Sequence, residues 1–455
     1  MPLESINPAT GELVQSYTEH SPFEVSQLLD DVSGAYVSWR ETDFATRASL
    51  FQTMARLLRD RQEHLVSLMA TEMGKTLREG RAEVEKCAAG CEFYASEAEG
   101  FLTPQMVETA ASKSYIAFRP LGPILGIMPW NFPLWQVFRF GAPALMAGNV
   151  GVLKHAPSTT GCSMAIQDLF GEAGFPPNVF RSVVVANERV ASIIADERIV
   201  AVTLTGSTRA GKSVASEAGA VLKKTVLELG GSDPYLVLKD ADLEATVEAC
   251  VTSRLINCGQ SCIAAKRVIV VAEVREEFER RFVEKMSAAQ IGDPTDESVD
   301  LGPLARLDLR DNLHTQVCES VAAGAKLLVG GVVPDRPGAF YPPTVLTNVR
   351  PGMPAFDEEM FGPAAAVIPV ADEEEGILLA NKTKYGLGAA VFTSDVARGE
   401  RIAAERIEAG SCFVNDFVRS DPRLPFGGIK QSGYGRELSG FGIREFVNVK
   451  TVYVN

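Results

Sequence analysis

Residues 124–154 read ILGIMPWNFPLWQVFRFGAPALMAGNVGVLK, and this segment carries the pattern that decides the fold. Its apolar ends, residues 124–128 and 150–154, predict two buried strands, and residues 134–147 between them predict a helix. Strands that alternate with helices through short Gly- and Pro-containing turns are typical of a doubly wound parallel sheet. We therefore predict an α/β fold.

The same alternation extends outward in both directions. Strands are predicted at residues 179–185 and 200–204, and a second alternating block begins near residue 229. On the amino-terminal side, Ser21-Pro22-Phe23-Glu24 is typical of a capping box and opens a helical region. Other predicted helices include residues 47–65, 75–101, 159–173, 189–195, 211–218 and 276–289. Other predicted strands are residues 115–120, 235–238, 268–271, 365–370, 389–393, 412–415 and 446–454.

Composition argues against several classes of function. The 455 residues carry a formal net charge of −14, which disfavours nucleic acids and anionic membranes as partners, because both are bound by basic surfaces. No run of 18 apolar residues is present to span a membrane, and the polar start of the chain lacks the pattern of a secretory signal. Eight cysteines without CxxC spacing and only four histidines predict a reduced, cytoplasmic protein without a metal site.

Residues 257–267, NCGQSCIAAKR, place Cys262 after a Gly-Gln-Ser turn, between a predicted helix and a predicted strand. A thiol in such a turn acts as a nucleophile when its surroundings favour the thiolate. A lone cysteine is more often a small buried residue of the core. The catalytic interpretation of Cys262 therefore depends on motifs elsewhere in the chain.

Residues 206–213, GSTRAGKS, match the phosphate-loop pattern G-x-x-x-x-G-K-[ST] between a predicted strand and a predicted helix. One interpretation is a nucleoside triphosphatase. The other is a dinucleotide site, since a glycine turn at a helix N-terminus also accommodates a pyrophosphate. No convincing acidic strand for Mg²⁺ follows the loop, which favours the dinucleotide.

Five motifs occur together in this chain. They are PWNFP (129–133), LELGG (227–231), NCGQSCIAAKR (257–267), EEMFGP (358–363) and PFGGIKQSGYGRE (425–437). In this order they resemble the aldehyde dehydrogenase superfamily, over the chain from about Asn7 to its end. The resemblance implies a nucleotide-binding domain (residues 1–110 and 121–228), a catalytic domain (229–415), an oligomerisation arm (111–120 and 437–455), and a homodimer or homotetramer.

The resemblance also implies chemical roles. Cys262 is the expected nucleophile toward a small-molecule aldehyde. Asn131 resembles the side-chain donor to the oxyanion, and one such donor is worth roughly 3 kcal/mol. Glu228 resembles the general base that activates water to release the acid, a role for which burial must raise its pKa. A glutamate there argues for hydrolysis, and acylation of coenzyme A is the alternative.

A nicotinamide cofactor is implied as well. Lys154 resembles the residue that contacts the adenosine ribose. Three residues later, where NAD-preferring relatives commonly carry a glutamate, the chain has Pro157, followed by Ser158. Because no carboxylate opposes a 2′-phosphate there, NADP is favoured and NAD is the alternative. The other residues expected to contact the cofactor are Trp130, Gly206, Ser207, Glu359 and Phe361.

Arg139, eight residues beyond Asn131, predicts a substrate with a remote carboxylate. Succinate-semialdehyde dehydrogenases are similar in carrying Arg at this position. Their second Arg, six residues before the nucleophile, is Ile256 here, and we expect Arg419, Ser420 or Arg423 to substitute for it. The predicted substrate is therefore succinate semialdehyde, with glutarate semialdehyde or an aliphatic aldehyde as alternatives.

Overall fold

Two mostly parallel sheets organise the computed structural model, which describes residues 3–455. The α/β fold class predicted from the sequence is confirmed. The strands are β1 (Leu3–Ile6), β2 (Leu13–Tyr17), β3 (Gln105–Met106), β4 (Lys113–Pro120), β5 (Pro123–Met128), β6 (Val150–His155), β7 (Phe180–Ser182), β8 (Ala201–Thr205), β9 (Lys224–Glu228), β10 (Asp233–Val237), β11 (Ala265–Val271), β12 (Lys326–Val329), β13 (Thr344–Thr347), β14 (Ala364–Val370), β15 (Gly388–Phe392), β16 (Ser411–Val414), β17 (Gly433–Tyr434) and β18 (Val447–Val454). The helices are α1 (Pro22–Trp39), α2 (Phe44–Asp60), α3 (Gln62–Met73), α4 (Leu77–Leu102), α5 (Trp135–Met146), α6 (Thr160–Glu172), α7 (Val190–Ala195), α8 (Thr208–Ala220), α9 (Leu243–Leu255), α10 (Arg275–Ala288), α11 (Leu307–Ala322), α12 (Pro354–Asp357), α13 (Glu373–Asn381), α14 (Val396–Arg401) and α15 (Ser439–Ile443).

The first sheet has the strand order β17-β9-β8-β5-β6-β7 and is parallel except for the β17–β9 pair. Its central strands are apolar and buried because a parallel sheet is covered on both faces. The last residues of β8 and β9, Thr205 and Glu228, are direct partners across the sheet. The loop after β5 leaves the same edge, so Asn131, Gly206 and Glu228 all lie at the carboxyl ends of these strands.

The second sheet has the strand order β12-β13-β14-β11-β10-β15-β16 and is parallel except for the β12–β13 pair. Cys262 lies three residues before β11. Asp233 of β10 pairs with Ala265 of β11, which brings the amino ends of the two strands together. A Cβ atom on Gly231 would lie 2.7 Å from the carbonyl oxygen of Cys262, so this glycine permits the close approach of the two segments.

A third sheet has the strand order β18-β4-β3, and none of its strands pairs with a strand of the other two sheets. β18 pairs antiparallel with β4 from Val447 opposite Pro120 to Val454 opposite Lys113. The C-terminal strand predicted at residues 446–454 therefore has a partner within the chain, and most of its side chains remain exposed.

The sequence predictions differ from the structure in four places. The helix predicted at residues 47–65 is two helices, α2 and α3, which break at Arg61. The apolar period continues across this break and no Gly or Pro marks it, so the pattern gave no signal. The hairpin β1–β2 and the strand β9 were not predicted. No element was predicted between residues 292 and 363, where the structure has α11, β12 and β13. The capping box at Ser21 is present as predicted.

The composition-based expectations concern membranes, metals and disulfides. Across residues 3–455, no helix combines the length and the apolar character that crossing a bilayer requires. Within the same part of the chain, no three His, Cys, Asp or Glu side chains are grouped closely enough to hold a metal ion. All eight cysteines are free thiols.

Candidate active site

Cys262 opens onto a cavity of about 250 Å³ whose wall is mainly apolar. The thiol follows a strained turn after α9, in which Asn257, Cys258 and Gly259 have left-handed φ angles of 55°, 53° and 73°. Such backbone conformations cost on the order of 1 kcal/mol or more for residues other than glycine. The buried guanidinium of Arg254 donates to the carbonyl of Gly259 at 2.5 Å and thereby holds the turn.

Gly259→Ala is expected to destabilise the protein and to misplace the nucleophile. A Cβ atom at this position would collide with the backbone of Gly362, in the EEMFGP motif, and the φ angle of 73° adds strain. The expected loss in the free energy of unfolding is roughly 2–4 kcal/mol, the sum of left-handed strain and a backbone clash. Thermal unfolding and activity measure it. Gly219→Ala is the control, because a Cβ atom there meets nothing within 4 Å; a Tm that falls equally in both variants would contradict this account.

Asn131 is brought next to the nucleophile loop. Its Nδ2 donates to the carbonyl of Gln260 at 3.0 Å, two residues before Cys262, and the side chain is 4% exposed. Its backbone carbonyl accepts from Lys75 Nζ at 3.0 Å and from Asn257 Nδ2 at 2.7 Å. The amide is thus fixed beside the cysteine loop, two residues from the nucleophile.

A buried ion pair that sequence reasoning missed supports this loop. Lys75 and Glu83 pair with side chains that are 1% and 2% exposed. The Glu83 carboxylate also accepts from the backbone N–H groups of Leu134 and Trp135, both at 2.9 Å, and so caps α5. In the sequence, Lys75 just before α4 and Glu83 within it read as ordinary polar residues of a helical region. Nothing local indicates that these two side chains turn inward toward a loop some 50 residues away.

Glu228 is buried, 2% exposed, and neither of its carboxylate oxygens has a hydrogen-bond partner within the described chain. A Cβ atom on Gly427 would lie 2.6 Å from Glu228 Oε1, so the PFGG motif passes directly over the carboxylate. Burial raises the pKa of Glu228 well above its usual value, and the nearby Glu437 raises it further, whereas Arg139 opposes both. An unpartnered carboxylate of raised pKa is suited to accept a proton from water.

Arg139 lies in the wall of the Cys262 cavity, and its guanidinium is already paired with Glu437. The two side chains are 2% and 4% exposed. Arg139 also donates to Thr205 Oγ1 at 3.1 Å. The prediction that Arg139 binds a substrate carboxylate stays a prediction, because Glu437 neutralises the charge that such a carboxylate would meet.

The surroundings of the Cys262 thiol favour its protonated form. Burial raises its pKa to about 12, which Arg139 and Lys266 partly oppose. Lys266 Nζ donates to the carbonyls of Ser261 and Cys262 at 2.9 and 2.7 Å and lies 3.3 Å from Glu359. Formation of the thiolate therefore requires a further positive charge or a base near the sulfur.

The residues predicted to contact the cofactor lie in two places. Trp130, Lys154, Ser158, Gly206 and Ser207 lie on or after strands of the first sheet, and Glu359 and Phe361 lie in the EEMFGP motif. Lys154 Nζ is hydrogen-bonded to Asn187 Oδ1, and burial lowers the pKa of Lys154 to about 8. Ser158 has a buried hydroxyl that is unpartnered among the described residues. The rings of Trp130 and Phe361 meet edge to face at 5.8 Å. These groups offer an amine, a hydroxyl and apolar faces, which fit a phosphorylated ribose and two aromatic bases.

The phosphate-loop alternative is contradicted by the position of α8. The helix begins at Thr208, so residues 208–211 already form its first turn. Only Gly206 and Ser207 separate it from β8, and Ser207 caps the helix by accepting from Ala210 N at 3.2 Å. A phosphate loop needs several non-helical residues to wrap a phosphate chain. The triphosphatase interpretation is therefore wrong, and the turn retains the free N-terminus that a pyrophosphate can approach.

The remaining residues predicted to bind substrate are close to the cavity but differ in availability. Arg419 and Ser420 both line it. Arg419 pairs with Asp416 at 2.7 Å and is half exposed. Ser420 Oγ accepts a hydrogen bond from Lys86 Nζ at 2.7 Å. Lys86 was not among the residues predicted from the sequence. Arg423, which pairs with Asp421 at 2.6 Å, is not in the wall of the cavity.

The chain is similar to known proteins over its whole length. Residues 1–452 match the model of the Aldehyde dehydrogenase family. The chain is 49% identical over 454 residues to a probable succinate-semialdehyde dehydrogenase (NADP+) of a Synechocystis species, and 47% identical over 457 residues to succinate-semialdehyde dehydrogenase (NADP+) 1 of Mycobacterium bovis, with 100% of both chains covered in each case. It superposes with a TM-score of 0.97 on a crystal structure of succinic semialdehyde dehydrogenase from Streptococcus pyogenes in complex with NADP+, at 36% identity and 99% coverage of each chain.

Proposed function

This chain belongs to the aldehyde dehydrogenase family, and from that premise we propose that it oxidises succinate semialdehyde to succinate with NADP as hydride acceptor. The observation that carries the proposal is the cavity itself: Cys262 opens into an apolar space that also contains cationic side chains. The names of the relatives support the same substrate and cofactor.

Cys262 acts as the nucleophile in this proposal. Its thiolate attacks the aldehyde carbon and forms a tetrahedral thiohemiacetal, whose oxyanion receives a hydrogen bond from Asn131 Nδ2. A nicotinamide cofactor held beside Cys262 would supply the hydride acceptor and, when oxidised, a positive charge that favours the thiolate. Loss of the hydride leaves a thioester on Cys262. Glu228 then takes a proton from water, the resulting hydroxide displaces the thiolate, and the acid is released.

The cofactor is held by the edge of the first sheet in this proposal. Lys154 would contact the adenosine ribose, Gly206 and Ser207 would contact the pyrophosphate, and Trp130, Glu359 and Phe361 would contact the nicotinamide side. The unpartnered hydroxyl of Ser158 supports NADP, because a 2′-phosphate would supply the acceptor that it lacks.

Pro157→Glu is expected to reverse the cofactor preference. The new carboxylate would lie beside Ser158, would accept hydrogen bonds from the 2′-hydroxyl of NAD and would repel the 2′-phosphate of NADP. We expect kcat/KM for NADP to fall by roughly 10- to 100-fold while that for NAD rises. Steady-state kinetics with both cofactors measure this, with Pro157→Gln as the uncharged control. An equal loss for both cofactors would contradict a role of this position in phosphate recognition.

The proposed reaction is tested by the absorbance of the reduced nicotinamide during turnover of an aldehyde panel with each cofactor. Succinate semialdehyde, glutarate semialdehyde and butanal compare a four-carbon acid, a five-carbon acid and an uncharged four-carbon aldehyde. We expect the highest kcat/KM for succinate semialdehyde with NADP. A higher kcat/KM for butanal would contradict the substrate assignment, whereas membership of the aldehyde dehydrogenase family would be unaffected.

We also propose that the chain forms a homodimer or homotetramer in the cytoplasm. The β3–β4–β18 sheet supports it, because β18 leaves Val449, Tyr453 and Val454 exposed on a strand at the sheet edge. Light scattering of the purified chain measures the assembly, and a monomer at micromolar concentration would contradict it.

A further inference from the structure

The N-terminal hairpin β1–β2 lies against the turn that follows β6. Most side chains of the hairpin are exposed, but Ser5 in β1 is completely buried. Its Oγ atom lies 2.6 Å from the carbonyl oxygen of Ser158 and 2.6 Å from Oε1 of Glu72. A hydroxyl has one proton, so Ser5 donates to one of these two oxygens at a time. The hairpin therefore contacts the backbone of the residue that supports the choice of NADP.

Glu72, on α3, holds the other side of the same turn. Its side chain is buried, and its two oxygens accept from the backbone N–H groups of Gly161 at 2.8 Å and Cys162 at 2.9 Å, in the first turn of α6. The N–H groups of a first helical turn are those that a helix offers to an anion. Because Glu72 already uses these two, a 2′-phosphate would depend on side chains near the turn, of which Ser158 is one.

The turn itself, Pro157–Thr159, is a single turn of 3-10 helix. Such a turn has poorer hydrogen-bond geometry than an α-helix, so its exact position depends on the groups around it. The hydroxyl of Ser158 is buried and has no hydrogen-bond partner among the described residues. Its backbone, by contrast, is held from the side of the hairpin by Ser5. The position of the free hydroxyl is therefore set through the backbone.

On these contacts we propose that Ser5 and Glu72 are positioning residues for cofactor specificity. They hold the Pro157–Thr159 turn so that the hydroxyl of Ser158 meets the 2′-phosphate of NADP. The inference rests on the proposed use of NADP and extends the cofactor site to the N-terminal hairpin. NAD has a hydroxyl in place of this phosphate and gains less from a fixed Ser158. Loosening the turn should therefore weaken the binding of NADP more than the binding of NAD.

Ser5→Ala tests the inference, because it removes the hydroxyl and little else. With titration calorimetry in the absence of aldehyde, we expect the Kd for NADP to rise by roughly 3- to 10-fold, the size of one neutral hydrogen bond, and the Kd for NAD to change by less than about 2-fold. The matched control is Thr347→Val, which removes a buried hydroxyl next to the carboxylate of Glu279 in β13 and should alter neither Kd. An equal loss of affinity for both cofactors in Ser5→Ala would indicate a purely structural role and overturn the inference.

A double-mutant cycle with Ser158→Ala shows whether Ser5 acts through Ser158. Once the hydroxyl of Ser158 is gone, nothing is left for Ser5 to position. We therefore expect Ser5→Ala to have no further effect on the Kd for NADP in the Ser158→Ala background. Effects of the two substitutions that simply add would contradict the inference.

Amide hydrogen exchange in the wild type provides a test that does not depend on the folding of a variant. Coupling between two sites is reciprocal, so a hairpin that favours NADP binding is itself stabilised by NADP. We expect exchange in residues 3–17 to slow by roughly 3- to 10-fold with saturating NADP and to slow less with NAD. Exchange that NADP leaves unchanged would overturn the inference. A wild type that binds NAD more tightly than NADP would instead contradict the proposed cofactor, so the two failures are distinguishable.

Discussion

Cys262→Ala is expected to abolish turnover while leaving cofactor binding intact. The sulfur is the atom that becomes covalently attached to the substrate in the proposed reaction, and no neighbouring side chain can replace it. We expect kcat to fall by on the order of 10⁴-fold or more. Cofactor affinity, measured by titration calorimetry, should change little, because the predicted cofactor contacts lie on the first sheet and on the EEMFGP motif. Sustained turnover by this variant would contradict a covalent mechanism.

The control for this experiment is Cys318→Ala. Cys318 is an exposed thiol on α11 and is not in the wall of the cavity. Its Sγ atom lies 3.5 Å from His314 Nε2. A histidine at this distance can act as a base toward a thiol, so Cys318 is a suitable alternative nucleophile to test. We expect full activity in Cys318→Ala. A loss of activity there would contradict the assignment of the nucleophile to Cys262.

Glu228→Gln is expected to separate hydride transfer from hydrolysis. The amide has the shape of the carboxylate but cannot accept a proton from water, so the thioester on Cys262 should accumulate. In rapid mixing we expect a burst of about one reduced cofactor per active site, followed by a steady state that is roughly 10²- to 10⁴-fold slower than in the wild type. Loss of the burst together with the steady state would place Glu228 in an earlier step than hydrolysis.

The pH dependence of this step follows from the surroundings of Glu228. Its carboxylate is a base only when deprotonated, and burial and Glu437 raise its pKa whereas Arg139 and Arg436 lower it. The rate of hydrolysis should therefore increase as the pH rises through this elevated pKa, and Glu228→Gln should lose the increase. Glu405→Gln, on the exposed face after α14, is the control and should retain the wild-type profile.

The elements around the active site were predictable because they are regular. Buried parallel strands appear as continuous apolar runs, and the runs at residues 124–128 and 200–204 correspond to β5 and β8 within one or two residues. β9 was missed because it is short and begins with Lys224 and Thr225, which are not apolar. The break between α2 and α3 at Arg61 was missed because helical periodicity continues through it.

Charge pairing around the cavity was not predictable from local sequence. Arg139 was expected to face the substrate, and the structure pairs it with Glu437, from a motif near the end of the chain. Lys86 looked like one more polar residue of a long helix, yet it lies against Ser420, 334 positions away. Which cation is free depends on which carboxylate folds next to it, and that is settled only when distant segments meet.

The sequence by itself determined the α/β class, the order of the motifs and the candidates for the reactive groups, because periodicity and residue type are local properties of the chain. The tertiary structure alone decided that residues 208–211 are helical rather than a phosphate loop, that Asn131 lies beside the Cys262 loop, and that Arg139 is paired with Glu437. The physical reason is that electrostatic interactions depend on distance in space and on burial, and both are set by contacts between segments far apart in the chain.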